Sequence, residues 1–97
     1  MESYSKAIIK HKIIKCLRDV KTLCDVVSIL KESTEVEYQD LFEHISQINA
    51  LFNIILYMFS ICKENNIYII HEVVRYYKLK ELVGAITIEL ELNNLCF

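Results

Sequence analysis

One unbroken hydrophobic repeat, from Tyr38 to Cys62, constrains the fold of this chain more than any other feature. Its core positions advance by alternating steps of three and four residues: Tyr38, Leu41, Ile45, Ile48, Phe52, Ile55, Phe59 and Cys62. That spacing places them on one face of an α-helix that packs into a bundle or coiled coil. The segment has neither proline nor glycine, so nothing in it interrupts a helix of about 25 residues, roughly 38 Å long.

A repeat of the same kind runs through the first 31 residues and predicts a helix over about 3–31. Its core positions again alternate between steps of four and three: Ile9, Ile13, Cys16, Val20, Leu23, Val27 and Leu30. Leu17, Cys24 and Val26 widen this apolar face beyond the narrow seam of a two-stranded coiled coil. The first helix is therefore expected to contact more than one neighbour, as in a bundle.

The break between the two repeats is short and polar. Thr34 followed by Glu37 has the pattern of a capping box, in which the hydroxyl and the carboxylate each bond a backbone N–H of the other residue. We therefore predict a second helix over about 35–63. A connection this short makes the first two helices an antiparallel hairpin.

The third segment, about 67–92, carries two conflicting patterns. Its apolar residues mostly follow helical spacing, and Ile70, Val74 and Tyr77 form a second apolar line. Residues 86–92 instead alternate strictly between apolar and polar, which is typical of a strand. We favour a helix, with a kink near Lys78 as an alternative, because a lone strand has no sheet to join. The expected fold is all-α, an antiparallel bundle of three long helices forming a single domain over 1–97.

The apolar content predicts association. Apolar residues make up 54% of the 97-residue chain, above the ~45–50% typical of soluble domains. A chain this short has difficulty hiding so much apolar surface by itself. From residue 51 onward the second helix is apolar nearly all round, so we expect a homodimer that also docks a protein partner. The residues predicted to mediate association are Leu51, Phe52, Ile55, Leu56, Met58 and Phe59.

The charge distribution supports a second hypothesis. Residues 1–31 carry seven Lys or Arg against three acids, whereas the whole chain has a net charge of −2. Basic side chains of this kind bind nucleic-acid phosphates without reading sequence. The candidate contacts are Lys6, Lys10, Lys12, Lys15, Arg18 and Lys21. A solvated helix face explains the same residues, so a nucleic-acid-binding regulator is the alternative and not the leading hypothesis.

No pattern in the sequence indicates catalysis or a cofactor. The three histidines lack the spacing of a zinc site, and no nucleophile motif or glycine-rich phosphate loop is present. The four cysteines have no CxxC spacing, and we interpret Cys16 and Cys62 as reduced core thiols. There is no signal-peptide pattern, and the apolar stretch from 51 to 62 is too short to span a bilayer. We therefore expect a cytoplasmic, non-enzymatic interaction or adaptor module that needs no cofactor, metal or membrane.

Overall fold

The computed structural model describes residues 3–33, 35 and 37–95, and these residues form three α-helices. They are α1 (Ser3–Leu30), α2 (Tyr38–Glu64) and α3 (Ile70–Leu95), and the described residues contain no strand. The helices pack into a rod-shaped bundle of 54 × 18 × 17 Å. The predicted fold class, an all-α bundle of three long helices, is confirmed.

Two ion pairs show the direction of the helices. Lys10, early in α1, lies 3.8 Å from Glu72, early in α3. Lys31, just after α1, lies 2.8 Å from Glu89, late in α3. The N-terminal parts of α1 and α3 thus lie together, and so do their C-terminal parts. The two helices therefore run parallel to each other, and α2 is antiparallel to both.

The third helix continues through the stretch with the strand pattern. Thr87 sits within it and donates a hydrogen bond from its hydroxyl to the Val83 carbonyl oxygen, one turn earlier, at 2.8 Å. Ile86 and Leu90 are buried, whereas Ile88 and Leu92 are exposed. The alternation therefore distributes apolar residues over two sides of one helix, and residues 86–92 are helical.

The end of α2 is closed by a Schellman motif. Asn66 adopts a left-handed backbone with φ of 55°. The Ile67 N–H then donates to the Cys62 carbonyl oxygen at 2.9 Å, and the Asn66 N–H donates to that of Lys63 at 3.4 Å. The predicted end of the second helix, at about residue 63, thus agrees with its last residue, Glu64. Helix α3 begins at Ile70, three residues later than predicted.

The start of α2 also differs from the prediction. The helix begins at Tyr38 instead of residue 35, and its N-cap is Glu37, with φ of −78° and ψ of 147° and no side-chain cap bond. Thr34, the other half of the predicted capping box, lies outside the described residues. Because Glu37 stands at the N-cap itself, it is not in the N3 position that the capping box requires.

This N-cap yields a prediction about stability. Aspartate is among the best N-cap residues, since its short carboxylate accepts from the N–H two or three residues on. Glu37→Asp keeps the charge and is expected to raise the free energy of unfolding by about 0.5–1 kcal/mol. Urea denaturation followed by circular dichroism measures the change, with Glu35→Asp as the matched control. An equal effect of both substitutions would show that capping is not the cause.

The core extends along the whole bundle. The predicted repeat of α2 is buried almost completely, and Met58 joins it: Leu41, Ile45, Ile48, Phe52, Ile55, Met58 and Cys62. In α1, Leu17 and Cys24 are fully buried, whereas Cys16 and Leu23 are only partly so. Because α1 packs against both other helices, its buried face is wide and includes residues beside the predicted repeat.

Candidate interaction surfaces

The outward side of α3 carries a line of exposed apolar side chains, which we call the outer α3 row. Its members are 47–59% exposed: Ile70, Val74, Tyr77, Ile88 and Leu92. At 100° per residue they fall within one 60° sector, on the side of the helix away from the core residues Tyr76 and Val83. Helix α3 is therefore apolar on two sides, and only the inner one is covered by the described part of this chain.

The chain's single glycine lies beside the outer α3 row. A Cβ added at Gly84 would meet nothing within 4 Å among the described residues. A glycine within an exposed helix costs about 1 kcal/mol relative to alanine, and packing within this chain does not require it. Ala85 follows directly, so the middle of the outward side is flat and admits close approach by another backbone.

Charged residues flank this row on both sides. Towards α2, the Lys80 ammonium lies 5.6 Å from the ring centroid of Phe52 and 5.9 Å from that of Tyr76. Towards α1, Glu89 bonds Lys31 through Oε2, yet its side chain stays 50% exposed. Lys78 and Glu91 form no ion pair within the described part of the chain. On both flanks the basic residue, Lys78 or Lys80, precedes Gly84, and the acidic one, Glu89 or Glu91, follows it by five residues or more.

The six residues predicted to mediate association do not share one surface. Phe52, Ile55 and Met58 are buried in the bundle, since α1 and α3 cover that side of α2. Leu51 and Phe59 are partly buried against the core, and of the six only Leu56 is substantially exposed. Their role in association stays a prediction, but most of these side chains first stabilise the fold.

Leu51 also lines an open groove between α1 and α2. The groove has a volume of about 520 Å³, and its walls mix apolar and polar side chains: Asp19, Thr22, Leu23, Gln47, Ala50, Leu51 and Ile54. Ile54 is half exposed here. Three polar residues, Asp19, Thr22 and Gln47, interrupt the apolar lining of this groove.

The structure divides the six basic candidates of α1 into two groups. Lys10 lies beside the buried Glu72, and Lys21 pairs with Asp25 on the next turn at 2.6 Å. Lys6 is partly buried, and Lys12, Lys15 and Arg18 are exposed. Two of the six candidates therefore pair with acidic residues of the chain itself. Nucleic-acid binding stays a prediction without support from this arrangement.

Glu72 is the one buried charged residue among those described, at 8% exposure. Its Oε1 atom faces the Lys10 ammonium, whereas Oε2 has no hydrogen-bond partner in the described part of the chain. Burial, and next the nearby Glu72 carboxylate, raise the pKa of the Cys62 thiol, which keeps it protonated. This corner of the bundle therefore holds a weakly nucleophilic thiol, and Lys10 serves to compensate a buried charge.

The other predicted thiols have the same character. Cys16, Cys24 and Cys62 are free, and burial is the main cause that raises each pKa. Cys62 is fully buried, as predicted, whereas Cys16 is only partly buried. Among the described residues no group of three or more His, Cys, Asp or Glu side chains converges as a metal site would require.

One described helix satisfies the length and composition of a membrane span. The most apolar window of α2 has a mean hydropathy of 1.6, and 33% of that window is buried in the bundle. Core helices of soluble proteins meet the same criteria, so the expectation of no membrane contact stays a prediction.

No protein-family model, curated protein or solved structure matches this chain.

Sequence reasoning missed Ile88, Leu92 and Gly84 as surface residues. Two signals for them were present: the second apolar line through Ile70, Val74 and Tyr77, and the alternation after residue 86. Together these signals mark the two ends of the outer α3 row.

Proposed function

We propose that this chain is a non-enzymatic interaction module, which associates with its own copies as a helical homo-oligomer and presents a docking surface to a protein partner. The observation that carries the proposal is the outer α3 row. A two-sided apolar helix at the edge of a small bundle is typical of an element that packs on a neighbour.

The rest of the molecule fits a binding role. The groove between α1 and α2 is open and shallow, and its charged lining residue is Asp19. The buried thiols have raised pKa values, the opposite of an activated nucleophile. The features with the largest exposed apolar content are surfaces and not clefts, which favours a macromolecular partner over a small substrate.

We expect the native protein to sediment as a dimer or higher oligomer at about 100 μM, because dispersing the outer α3 row in water is unfavourable. Sedimentation equilibrium over a concentration series measures the mass directly. A single species of monomer mass across the series would contradict the proposal. Adding salt distinguishes apolar association from charge-driven aggregation, since the first persists at high ionic strength whereas the second weakens.

A further inference from the structure

We propose that a second copy of this chain occupies the outward side of α3, with its own α3 lying antiparallel and the two helices crossing at Gly84 and Ala85. The inference rests on the proposed function and specifies its partner and geometry. Three independent features of α3 agree on it: the position of its charges, the position of its small residues and the apolar row between them.

The charges determine the direction. Lys78 and Glu89 lie on the flank that faces α1, whereas Lys80 and Glu91 lie on the flank that faces α2. In an antiparallel pair related by a two-fold axis, equivalent flanks of the two copies meet. Lys78 then approaches Glu89 of the second copy, and Lys80 approaches Glu91. In a parallel two-fold pair opposite flanks meet instead, so Lys78 would approach Lys80 of the second copy and Glu89 would approach Glu91, and both contacts are repulsive.

The same pairs determine the register. The midpoint between Lys78 and Glu89 lies between residues 83 and 84, and that between Lys80 and Glu91 lies between 85 and 86. Both pairs therefore form when the two-fold axis passes between Gly84 and Ala85. These are the smallest side chains of the helix, and the open space at the Gly84 Cβ position is where the second backbone would come closest. Charge and shape thus select one crossing point.

The apolar row fits this register. Tyr77 lies opposite Leu92 of the second copy, near each end of the contact. The two side chains would shield each other's apolar surface from water. Glu81 lies in the same sector of the helix as the row and stands opposite Ile88 of the second copy. The contact would partly desolvate its carboxylate, and this cost limits the affinity. One helix pair also buries less than the ~800 Å² per partner of a standard interface. We therefore expect a reversible dimer and not an obligate one.

Cysteine cross-linking tests the geometry. The background is the full chain with Cys16→Ser and Cys96→Ser, in which the remaining Cys24 and Cys62 are buried. Ala85→Cys places two thiols beside the two-fold axis, within the ~7 Å between Cα atoms that a disulfide allows. The matched control is Val74→Cys, on the same side of the helix, whose two copies would stand roughly 30 Å apart. Mild oxidation is followed by non-reducing electrophoresis, and circular dichroism checks the fold of each variant.

We expect a cross-linked dimer as the main product of Ala85→Cys and only background cross-linking of Val74→Cys. Equal cross-linking at both positions would indicate parallel or unspecific contact and would overturn the inference. No cross-linking at Ala85→Cys, while the native protein sediments as a dimer, would also overturn it and leave the proposed function standing. A native protein that sediments as a monomer would remove both.

Discussion

Phe52→Ala is expected to lower the free energy of unfolding by about 3–5 kcal/mol, the largest loss from any single substitution considered for this chain. The Phe52 ring is 2% exposed and packs edge-to-face on Tyr76, with ring centroids 5.2 Å apart. Tyr76 in turn contacts the Phe59 ring at 5.4 Å. Truncation would therefore leave a cavity at the centre of an aromatic cluster that joins α2 to α3.

Urea denaturation followed by circular dichroism measures this loss. Domains of this size are stable by only ~5–15 kcal/mol, so the variant should be close to unfolding at 25 °C. The matched control is Leu56→Ala, one turn later on α2, where the side chain is substantially exposed. We expect a loss below about 1 kcal/mol there, as for most surface positions. Equal losses for the two variants would contradict the packing of α2 described above.

The sequence predicted the first two helices because their repeats have no competing signal. Positions such as Ile45, Ile48 and Ile55 recur at helical spacing without proline or glycine, and one buried face satisfies them all. The predicted helix ends were less accurate than the predicted helices themselves. The Schellman motif at Asn66 depends on a residue type that tolerates a left-handed backbone, which can be recognised from sequence. The cap at Glu37 depends on backbone geometry and has no such signal.

The surface could be predicted only in part, because burial depends on where the neighbouring helices lie. Phe52 and Ile55 are as apolar as Ile88, and only the three-dimensional arrangement shows that the first two are covered. Lys10 shows that the role of a charged residue is just as difficult to predict from the sequence. On α1 alone it is one of several basic residues, whereas the bundle places it beside the buried Glu72.

The second large effect concerns association. Ile88→Glu places a carboxylate in the outer α3 row, where the proposed contact would bury it opposite Glu81 of the second copy. Two like charges brought together in a buried contact cost several kcal/mol, so we expect dimer affinity to fall by at least about tenfold. The substitution should leave the fold intact, because Ile88 is 59% exposed and lies on the side of α3 away from the core.

The matched control is Ile29→Glu, which introduces the same charge at an exposed isoleucine of α1. Ile29 is 72% exposed and does not belong to the outer α3 row. Its substitution changes net charge and surface hydrophobicity as Ile88→Glu does, but at a position outside the proposed contact.

The most direct test of the account is sedimentation equilibrium of the native chain, Ile88→Glu and Ile29→Glu side by side over one concentration series. We predict that the native chain and Ile29→Glu share one dissociation constant, and that Ile88→Glu shifts towards monomer throughout the series. Ile88→Glu associating as strongly as the native chain would contradict the claim that the outward side of α3 is the interaction surface.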